Sequence, residues 1–579
     1  MKKLFLTIFL LVSLCRISFA AIADNTVFEV RTTGDANNGG GYAGSPFVPR
    51  PDAPTVTKTT GGSIANGTYY VVVAYYDRRS WYWSDDAYTG QASEETAVTI
   101  SDSTNDAIIV TSPAPTENAK KYKVFIGTTS GGPYYAQHTG HAQGTNIGTN
   151  WTGTTTPLTS GIEPYRTDYS QQDTAQLTLT DIACNNSSTI TSATGGFTQE
   201  MIGNILKVTA GTDFTVGYYQ IMSVPNTNTA VLDRKPTSTT DAETNGTIYV
   251  GGATNHPATI ASGIGGSSTV YIKSGTYQKV GAATTVLTTA VNSSNGHGIW
   301  WIGYVTSRTT ETLGDDRPLF DGNSAATNAL YSSGRQTFCN LRFSGATSHG
   351  VNLNNSSSRF VNCKSSSNGG AGINSDTQTF LFGTEVNNNS VNGVNGGVNA
   401  LYSYIHDNTG VGSTKNNGAL VNNIFDSNST SALGDGINNF MTVGNIFYNN
   451  PNAAMQSNGD EPADIGFVVN NIFSSNGYAL YENGASTQFL LFNNSFYGNT
   501  TNFFGTIIFP NTNNITTDPA FANAASADFT VGAASPVIGA GFDMSKLGIL
   551  ATDFNVNIGV DQSDHVTAGG GNVIIIEED

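Results

Sequence analysis

Four copies of one short pattern decide the fold of this sequence: VNNIFDSN (421–428), VGNIFYNN (443–450), VNNIFSSN (469–476) and FNNSFYGN (492–499). The phenylalanine at the fifth position recurs after 22, 26 and 23 residues. The same register continues upstream with intervals of 20, 19, 21 and 22 residues, at Ile405, Val386, Ser365 and Phe343. The seven intervals average about 22 residues, a length typical of one unit in a stacked repeat protein.

Each repeat contains short β-type runs separated by Asn and Gly, and these runs are too short to hold a helix in every repeat. Leucine-rich repeats have this length, but their spaced leucines are absent. Stacked β-coils fit best, with each strand paired to the coils above and below at ~4.8 Å. Variable coils favour a right-handed helix over the strictly regular left-handed hexapeptide form. The sequence therefore predicts an all-β fold built on a right-handed parallel β-helix.

The same pattern assigns the interior and the corners of the predicted coils. The repeated phenylalanines, such as Phe425 and Phe447, are expected to stack inside. Asn tolerates the left-handed backbone of a sharp corner, and stacked amides can bond one another. The third residue of each repeat is therefore expected to form a ladder at a corner, made of Asn423, Asn445, Asn471 and Asn494.

Composition excludes several classes of protein. The 579 residues include 65 Gly and carry 25 Lys+Arg against 43 Asp+Glu, a formal net charge of -18. Hydrophobic residues make up 38% and aromatic residues 10%, which argues against a disordered chain. The acidity argues against nucleic acid or an anionic membrane as the partner.

Residues 1–20 read as a Sec-type signal peptide, which predicts a secreted, extracellular or cell-surface protein. Lys2 and Lys3 precede an apolar run, and Ser18-Phe19-Ala20 fits a cleavage site. No later apolar stretch is long enough to span a bilayer, so no membrane insertion is expected.

Three cysteines follow the predicted leader: Cys184, Cys339 and Cys363. We interpret them as small buried hydrophobic residues, with a Cys339–Cys363 disulfide as the alternative. Since no CxxC pair or His/Cys cluster occurs, a structural zinc is not expected.

Three segments carry a resemblance to a known superfamily: PATIASGIGGSSTVYIKSGTY (257–277), DPAFANAASADFTVGAASPVIGAG (518–541) and IGVDQ (558–562). They resemble the entry and the final coils of right-handed parallel β-helix proteins of the pectate-lyase-like superfamily. The resemblance implies such a helix over residues 251–562. This superfamily includes lyases, hydrolases, epimerases, tailspikes and adhesins, so the fold leaves the activity open.

Two regions precede the predicted helix. Residues 54–162 contain GTYYVVVAYYD and KKYKVFIGTTSGGPYY, and they resemble a fibronectin type III module of phage and bacterial surface proteins. The flanking segments resemble one continuous stretch at the start of phage-type and metagenomic β-helix proteins, so we interpret the module as an insertion. Residues 21–53 would then join a small β-rich domain at 165–250. Residues 563–579 are predicted to be a Gly linker and a terminal strand.

The repeat register also predicts a polar outer face. Residues one before the inward position form a first column, Arg342, Lys364, Glu385 and Tyr404. Residues one after it form a second column, Asn387, His406, Asp426 and Tyr448. Ile424, Ile446 and Ile472 continue the first column, so a bend there could alter the register.

A lyase would take its catalytic groups from this face, namely Lys364, Glu385, His406 and Asp426. Glu385 and Asp426 lie two coils apart, ~10 Å along the axis, which is too far for a retaining glycosidase pair. They are also the only acids near enough for Ca²⁺, fewer than a calcium site needs, so Ca²⁺ is no more than an alternative and no metal ligand is assigned. The alternative is structural, with Lys364–Glu385 and His406–Asp426 rungs on a solvated face.

A hydrolase site is a weaker alternative. Polygalacturonase-like hydrolases order NTD, DD, GHG and RIK motifs, and this sequence offers Asp315-Asp316 and Ser348-His349-Gly350. No NTD precedes them and no RIK follows. If the protein is an enzyme, which the sequence leaves open, a polysaccharide lyase is therefore favoured over a glycoside hydrolase.

A second candidate site is the loop in the module at 54–162. Its adjacent aromatic and basic side chains suit glycan binding, because rings stack on sugars and guanidinium groups bond hydroxyls and carboxylates. The predicted glycan-binding residues are Arg78, Arg79, Trp81, Tyr82 and Trp83. The alternative is that they pack against a neighbouring domain.

Three functions follow from these features. The favoured one is an adhesin-like or tailspike-like protein that recognises an extracellular polysaccharide or surface glycan without strong catalysis. A polysaccharide lyase acting on an acidic polysaccharide is the second. A structural subunit of an extracellular fibre, forming homo-oligomers through terminal strands, is the third.

Overall fold

A computed structural model describes residues 26–559 with gaps. The gaps are 44–50, 78–89, 91, 102–105, 117–118, 138–143, 161–163, 165–171, 199–200, 262–263, 265, 267, 291–297, 307, 309–313, 355–356, 376–377, 416–417, 435–439, 458–464, 484–487, 506–510 and 543–556. The predicted signal peptide (1–20) and terminal strand (563–579) therefore lie outside the described residues. The chain divides into two compact units, Met1–Thr269 and Val270–Asp579.

Within the predicted module, two antiparallel sheets enclose an apolar core. One sheet contains Val56–Thr59, Ala107–Val110 and Trp151–Gly153. The other contains Gly67–Asp77, Thr96–Ile100, Ala119–Gly127, Tyr135–Ala136 and Thr145–Asn146. Alternating residues such as Val71, Val73 and Val124 fill the space between them. The fibronectin type III assignment stays a prediction.

The rest of the first unit is a hairpin, a barrel and a short helix. The hairpin pairs Thr26–Val30 with Gly41–Ala43. The closed antiparallel barrel contains Leu177–Asn185, Thr189–Thr191, Ile205–Ala210, Gly217–Asn226, Thr229–Leu232 and Ala242–Val250. The helix is Ala258–Ala261. Asn38 beside the hairpin donates to the carbonyl oxygens of Asp173 and Ala253. The domain limits, and the joining of 21–53 to 165–250, stay predictions.

The second unit is a parallel β-helix with three sheets, numbered here in the order in which a coil enters them. Sheet 1 contains Thr269–Lys273, Ile299–Tyr304, Gln336–Cys339, Arg359–Val361, Thr379–Phe382, Val394–Leu401, Ala419–Val421, Phe440–Val443, Ile465–Val469, Gln488–Phe492 and Asn511–Thr512. Sheet 2 contains Thr276–Gln278, Leu319–Asp321, Arg342–Ser344, Lys364–Ser366, Glu385–Asn387, Tyr404–His406, Ile424–Asp426, Ile446–Tyr448, Ile472–Ser474 and Ser495–Tyr497. Sheet 3 contains Thr285–Ala290, Asn328–Ser333, Val351–Asn354, Ile373–Ser375, Val394–Leu401, Ser413–Lys415, Ser431–Leu433, Ala453–Ser457, Tyr478–Glu482 and Thr501–Phe504.

The predicted register is confirmed through eight consecutive coils. The residues of sheet 2 that pair in turn are Phe343, Ser365, Val386, Ile405, Phe425, Phe447, Phe473 and Phe496. All are buried, and the last four rings stack at 5.2, 5.0 and 5.0 Å between centroids. The predicted fold class, an all-β chain with coils of about 22 residues, is confirmed.

The predicted asparagine ladder is also confirmed, at the corner between sheets 1 and 2. Each amide donates Nδ2–H to the Oδ1 of the next coil, with distances of 2.9, 2.9 and 3.0 Å along Asn423, Asn445, Asn471 and Asn494. The left-handed backbone belongs to the preceding residue, with φ of 54° at Asn422 and 66° at Gly444. The prediction gave the amide ladder and the left-handed backbone to one residue. In the structure, the third residue of each repeat forms the ladder and the second residue has the left-handed backbone.

A second amide ladder, which the sequence analysis missed, lies at the corner between sheets 2 and 3. Its members are the eighth residues of the repeats and their upstream equivalents, namely Asn368, Asn389, Asn408, Asn428, Asn450, Asn476 and Asn499. From Ile424–Asp426 to Ser495–Tyr497, the strands of sheet 2 therefore lie between two stacks of amides, whereas upstream the first corner is formed by Cys363, Thr384 and Ser403. Because each amide is bonded on both sides, the ladders fix the path of the strands between them.

The chain after the last coil returns along the outer face of sheet 2. We call residues 515–542 and 557–559 the C-terminal cover. It includes the antiparallel pair Phe521–Asn523 and Asp528–Val531 and the 3₁₀ turn Ala524–Ser526. Asn470 donates Nδ2–H to the Phe542 carbonyl oxygen (2.9 Å), and Asn493 to that of Ala540 (2.8 Å). The cover is thus anchored on left-handed corner residues of the helix.

Two further predictions concern cysteines and membranes. Cys184, Cys339 and Cys363 are all free thiols, so the alternative Cys339–Cys363 disulfide is not formed. Burial raises the pKa of the Cys363 thiol to about 11, as suits a small buried hydrophobic residue. Among the described residues, no helix has the length and apolar character needed to cross a membrane.

Candidate functional site

The predicted outer columns of sheet 2 are present as predicted. Lys364 pairs with Glu385, and Glu385 with Tyr404, in the first column. In the second column, His406 pairs with Asp426. We call the group that these residues form with two further acids the ionisable patch, which consists of Asp315, Lys364, Glu385, Tyr404, His406, Asp407 and Asp426.

Glu385 lies at the centre of the patch between two nitrogen groups. Its Oε1 is 3.2 Å from Lys364 Nζ and 3.2 Å from His406 Nε2. Burial by itself would raise the pKa of this carboxyl. The hydrogen bond from His406 and the charge of Lys364 outweigh burial and hold the pKa below its ordinary value. Glu385 is therefore a stable anion that joins three consecutive coils.

Lys364 also contacts a carboxylate that does not belong to its column. Its Nζ is 3.3 Å from Oδ1 of Asp315, which lies 49 residues earlier in the chain. The Asp315 side chain is 68% exposed, whereas that of Glu385 is 25% exposed. The ammonium group thus has one sheltered anionic partner and one partner in solvent.

The predicted Lys364–Glu385 rung is present, but the predicted His406–Asp426 rung is wrong. His406 Nε2 turns back to Glu385 in the preceding coil, and Nδ1 lies 2.8 Å from Oδ2 of its neighbour Asp407. The imidazole also stacks on the Tyr404 ring, with centroids 3.8 Å apart and planes at 16°. The imidazole is thereby held on both nitrogens and on one face.

Asp426 instead bonds to hydroxyl groups. Tyr404 donates to its Oδ2 (3.0 Å) and Ser427 to its Oδ1 (2.6 Å). Burial raises the pKa of the Asp426 carboxyl, and burial together with this carboxylate raises the pKa of the Tyr404 hydroxyl. Asp426 is 7% exposed, so its environment differs from that of Glu385 although the two acids belong to one patch.

The donor set does not fit the calcium alternative. The oxygen atom of Glu385 that faces the patch already contacts an ammonium group and an imidazole. Both oxygens of Asp426 accept hydrogen bonds from hydroxyls. Within the part of the chain that the structure describes, no three His, Cys, Asp or Glu side chains converge as metal ligands would.

The C-terminal cover marks one end of the patch. It packs on Ile424, Ile446 and Ile472, all buried, together with its own Phe529, Val537 and Ile558. Tyr404 and Tyr448 pack at the edge of this cluster. The isoleucines did not bend the register. The outer face of sheet 2 is instead divided into an apolar part that packs against the cover and an ionisable part, in which His406 and Asp426 are buried and Lys364 and Glu385 are partly exposed.

The remaining candidate residues lie elsewhere. Arg78, Arg79, Trp81, Tyr82 and Trp83 lie outside the described residues. His349, from the hydrolase alternative, accepts the Ala371 backbone N–H at Nδ1 (3.1 Å), and burial lowers its pKa. Sequence reasoning did not place Asp315 and Asp407 in the patch. The proximity of Asp407 to His406 in sequence was an available signal, whereas nothing local indicates that Asp315 reaches Lys364.

Comparison with known proteins gives similarity of structure only. No protein-family model matches the sequence, and no curated protein matches it. The solved structures similar to this chain include a pectate lyase, Pel9A, at 12% identity and a TM-score of 0.35, covering 54% of this chain and 91% of that chain. An alginate lyase from Paenibacillus sp. str. FPU-7 has 11% identity and a TM-score of 0.22, covering 45% of this chain and 94% of that chain. The periplasmic alginate epimerase AlgG has 11% identity and a TM-score of 0.22, covering 43% of this chain and 76% of that chain. Similarity this remote leaves the activity to be argued from the residues of this chain.

Proposed function

We propose that this protein binds an extracellular glycan that carries carboxylate groups, and that the ionisable patch on sheet 2 holds this glycan without robust depolymerisation. A parallel β-helix presents side chains at ~4.8 Å intervals along its axis. A long polymer with repeated hydroxyl and carboxylate groups matches such a surface better than a compact ligand does. The predicted signal peptide supports a partner outside the cell.

Lys364 supplies the proposed point of attachment. Its sheltered partner Glu385 holds the ammonium group in place, and its second partner Asp315 is 68% exposed. An exposed ion pair contributes little stability, so a sugar carboxylate can replace Asp315 at small cost. The bound carboxylate would then form the charge-assisted hydrogen bond that Asp315 gives up.

The pairing of every strongly ionisable group in the patch is the observation that carries the proposal of binding without catalysis. Lys364 contacts two carboxylates, Glu385 contacts two nitrogen groups, and His406 contacts two carboxylates. A general base needs an atom within hydrogen-bond reach of the proton that it removes. Glu385 Oε1 and both ring nitrogens of His406 already contact other side chains of the patch, so a base would first have to give up one of these contacts.

The loop with Arg78, Arg79, Trp81, Tyr82 and Trp83 is proposed as a separate glycan-binding site, on the sequence argument alone. Two tryptophans and one tyrosine within three residues are costly to expose without a partner. Replacing Trp81 and Trp83 with Ala should weaken binding by about 1 to 3 kcal/mol for each lost stacking contact. Unchanged glycan retention in this double variant would assign the loop to packing.

Affinity electrophoresis tests the proposal, with polygalacturonate or alginate in the gel. Wild type should be retarded, and added salt should weaken the retardation because the contact is charged and partly exposed. Lys364→Ala should reduce affinity about tenfold, or ~1.4 kcal/mol, and Lys364→Arg should keep most of it. Lys279→Ala is the matched control, because among the described residues Lys279 bonds the nearby Gly281 carbonyl oxygen and no carboxylate. Retardation that is equal in wild type and Lys364→Ala would contradict the proposal.

A polysaccharide lyase remains the second candidate, because His406 is oriented as an acid or base would be. Asp407 holds Nδ1, the Tyr404 ring supports one face, and Lys364 lies across Glu385 as a cation for a uronate carboxylate. Elimination would require a base to remove the proton beside that carboxylate. Unsaturated products that appear with wild type and vanish with His406→Ala or Lys364→Ala would establish the lyase and overturn binding without catalysis.

A further inference from the structure

The outer face of sheet 3 carries a stripe of uncharged side chains, distinct from the ionisable patch on sheet 2. The stripe has an amide section, made of Asn352, Asn374, Asn395 and Thr414. It also has a ring section, made of Tyr478, Tyr481 and Phe504. The strands from Val351–Asn354 to Thr501–Phe504 make seven steps along the helix, which is about 34 Å at ~4.8 Å per coil.

The amide section is a ladder on the outside of the helix. Asn374 donates Nδ2–H to Asn352 Oδ1 (2.9 Å), and Asn395 donates to Asn374 Oδ1 (2.7 Å). Thr414 donates its hydroxyl to Asn395 Oδ1 (3.1 Å). An amide nitrogen has two N–H groups, and the ladder uses one of them at Asn374 and Asn395. The ladder therefore fixes two amides, each with a second N–H group left for a ligand, one coil apart.

The ring section continues the same face near the end of sheet 3. Tyr481 and Phe504 pair in register, and their rings are parallel within 6° with centroids 4.8 Å apart. Tyr478 packs against both, at 5.1 and 5.5 Å between centroids. Phe504 is 44% exposed and belongs to the last strand of sheet 3 among the described residues. A three-ring cluster with one exposed and two partly buried rings suits stacking against a flat, amphipathic partner.

We propose that this stripe is a second binding surface, and that its ligand is an uncharged, hydroxyl-rich polysaccharide lying along the helix axis. Sugar hydroxyls can accept the outward N–H groups of the amide section, and the apolar face of a sugar ring can stack on Tyr481 and Phe504. Both ends of a ligand of several sugar units would be held at once, which raises affinity without any strong single contact.

Charge separates this ligand from that of the ionisable patch. The side chains of the amide and ring sections are all uncharged, while the chain as a whole has a formal net charge of -18. An acidic glycan would meet repulsion here with no cation in either section to offset it, whereas an uncharged glycan meets none. The proposal thus goes beyond the function proposed for sheet 2, and the two can be tested independently.

Affinity electrophoresis of the full chain tests the proposal, with linear β-glucan, xylan, galactomannan and dextran as the probes. We expect at least one of them to retard wild type equally at low and high salt, because no ion pair is involved. The double variant Tyr481→Ala/Phe504→Ala should lose about tenfold or more in affinity. Asn374→Ala should lose less, because one link of the ladder is removed while the rings remain.

Matched controls come from the neighbouring face of the same helix. Phe380 on sheet 1 is 40% exposed, and Phe380→Ala should bind as wild type does. Asn399 lies on the same strand as Asn395 but on sheet 1, so Asn399→Ala should also leave affinity unchanged. Far-ultraviolet circular dichroism would verify that each variant is folded.

Three outcomes would overturn the proposal. The first is that none of the four uncharged polysaccharides retards wild type. The second is that the folded Tyr481→Ala/Phe504→Ala variant is retarded as strongly as wild type. The third is that retardation is lost at high salt or in Lys364→Ala, which would assign it to the ionisable patch. If the protein bound an uncharged polysaccharide but no acidic glycan, the sheet 2 proposal would be contradicted and this proposal would not.

Discussion

The two parts of the outer face of sheet 2 have the same backbone and different uses. In the first column, Lys364, Glu385 and Tyr404 are followed without a break by Ile424, Ile446 and Ile472. The polar part is buried to partly exposed and forms a network of ion pairs and hydrogen bonds. The apolar part is buried beneath the C-terminal cover. Strand pairing is equally regular in both parts, so the two parts differ in their side chains and in where the returning chain packs.

The stability and the function of this face reside in different parts of it. Burial of the isoleucines by Phe529, Val537 and Ile558 contributes hydrophobic free energy to folding. The charged part contributes little of that kind, because exposed and half-exposed ion pairs are weak. Substitutions in the two parts should therefore separate stability from binding.

The largest effect is expected in the covered part. Ile446→Asp places a carboxylate where the native side chain is fully buried against the C-terminal cover. Loss of apolar burial together with desolvation of an unpaired acid should lower the free energy of unfolding by about 4 kcal/mol or more. Urea denaturation measures this, with Ile446→Val as the control at about 1 kcal/mol. A loss below 1 kcal/mol for Ile446→Asp would mean that the cover does not pack on this column in solution.

Glu385 and Asp426 should differ in how they link stability to pH. The pKa of Glu385 is lowered on folding, so its contribution is present at neutral pH and is lost as pH falls through the folded value. The pKa of Asp426 is raised, so its ionised form destabilises the fold at neutral pH and acid relieves that cost.

Thermal denaturation across the acidic range tests this contrast. Glu385→Gln should lower stability at neutral pH by about 1 kcal/mol, because two partly exposed charge-assisted contacts are weakened, and it should flatten the acid loss. Asp426→Asn should be neutral or stabilising at neutral pH, since an amide oxygen can still accept the Tyr404 hydroxyl. Equal effects from the two variants would show that their environments do not differ as described.

The smallest effect on stability is expected from Lys364→Ala. Its ammonium group is held by one exposed and one partly exposed carboxylate, so unfolding free energy should change by less than about 1 kcal/mol. Urea denaturation beside the binding assay would verify that lost affinity does not reflect unfolding. A change above 2 kcal/mol would instead make Lys364 a structural residue of the helix.

The regular part of this molecule could be predicted from sequence because it repeats. The inward column from Phe343 to Phe496 and the ladder from Asn423 to Asn494 follow directly from positions in the motif. The second ladder was visible in the same motif, at Asn428 and its equivalents, but the sequence analysis gave those residues no role. Because each repeat stacks on the next, residues at the same position of the motif lie in one column of the fold. These features could therefore be assigned without a structure.

The parts that do not repeat could not be assigned in this way. The C-terminal cover meets Ile446 only because the chain reverses after the last coil, and no local signal encodes that contact. The hydrogen bond from Tyr404 to Asp426 and the turn of His406 toward Glu385 depend on side-chain rotamers. The contact of Asp315 with Lys364 depends on a loop 49 residues away. The column residues of the patch were thus predictable, whereas the membership of Asp315 and Asp407 and the pairing of the side chains were not.

Isothermal titration of an acidic oligosaccharide into wild type and Asp315→Asn tests the central claim most directly. If the glycan carboxylate replaces Asp315 on Lys364, removing that competing charge should tighten binding several-fold and leave Glu385 in place. Lys364→Ala in the Asp315→Asn background should then abolish the gain. Unchanged or weaker binding in the folded Asp315→Asn variant would contradict the account, because the ammonium group of Lys364 would not be where the glycan binds.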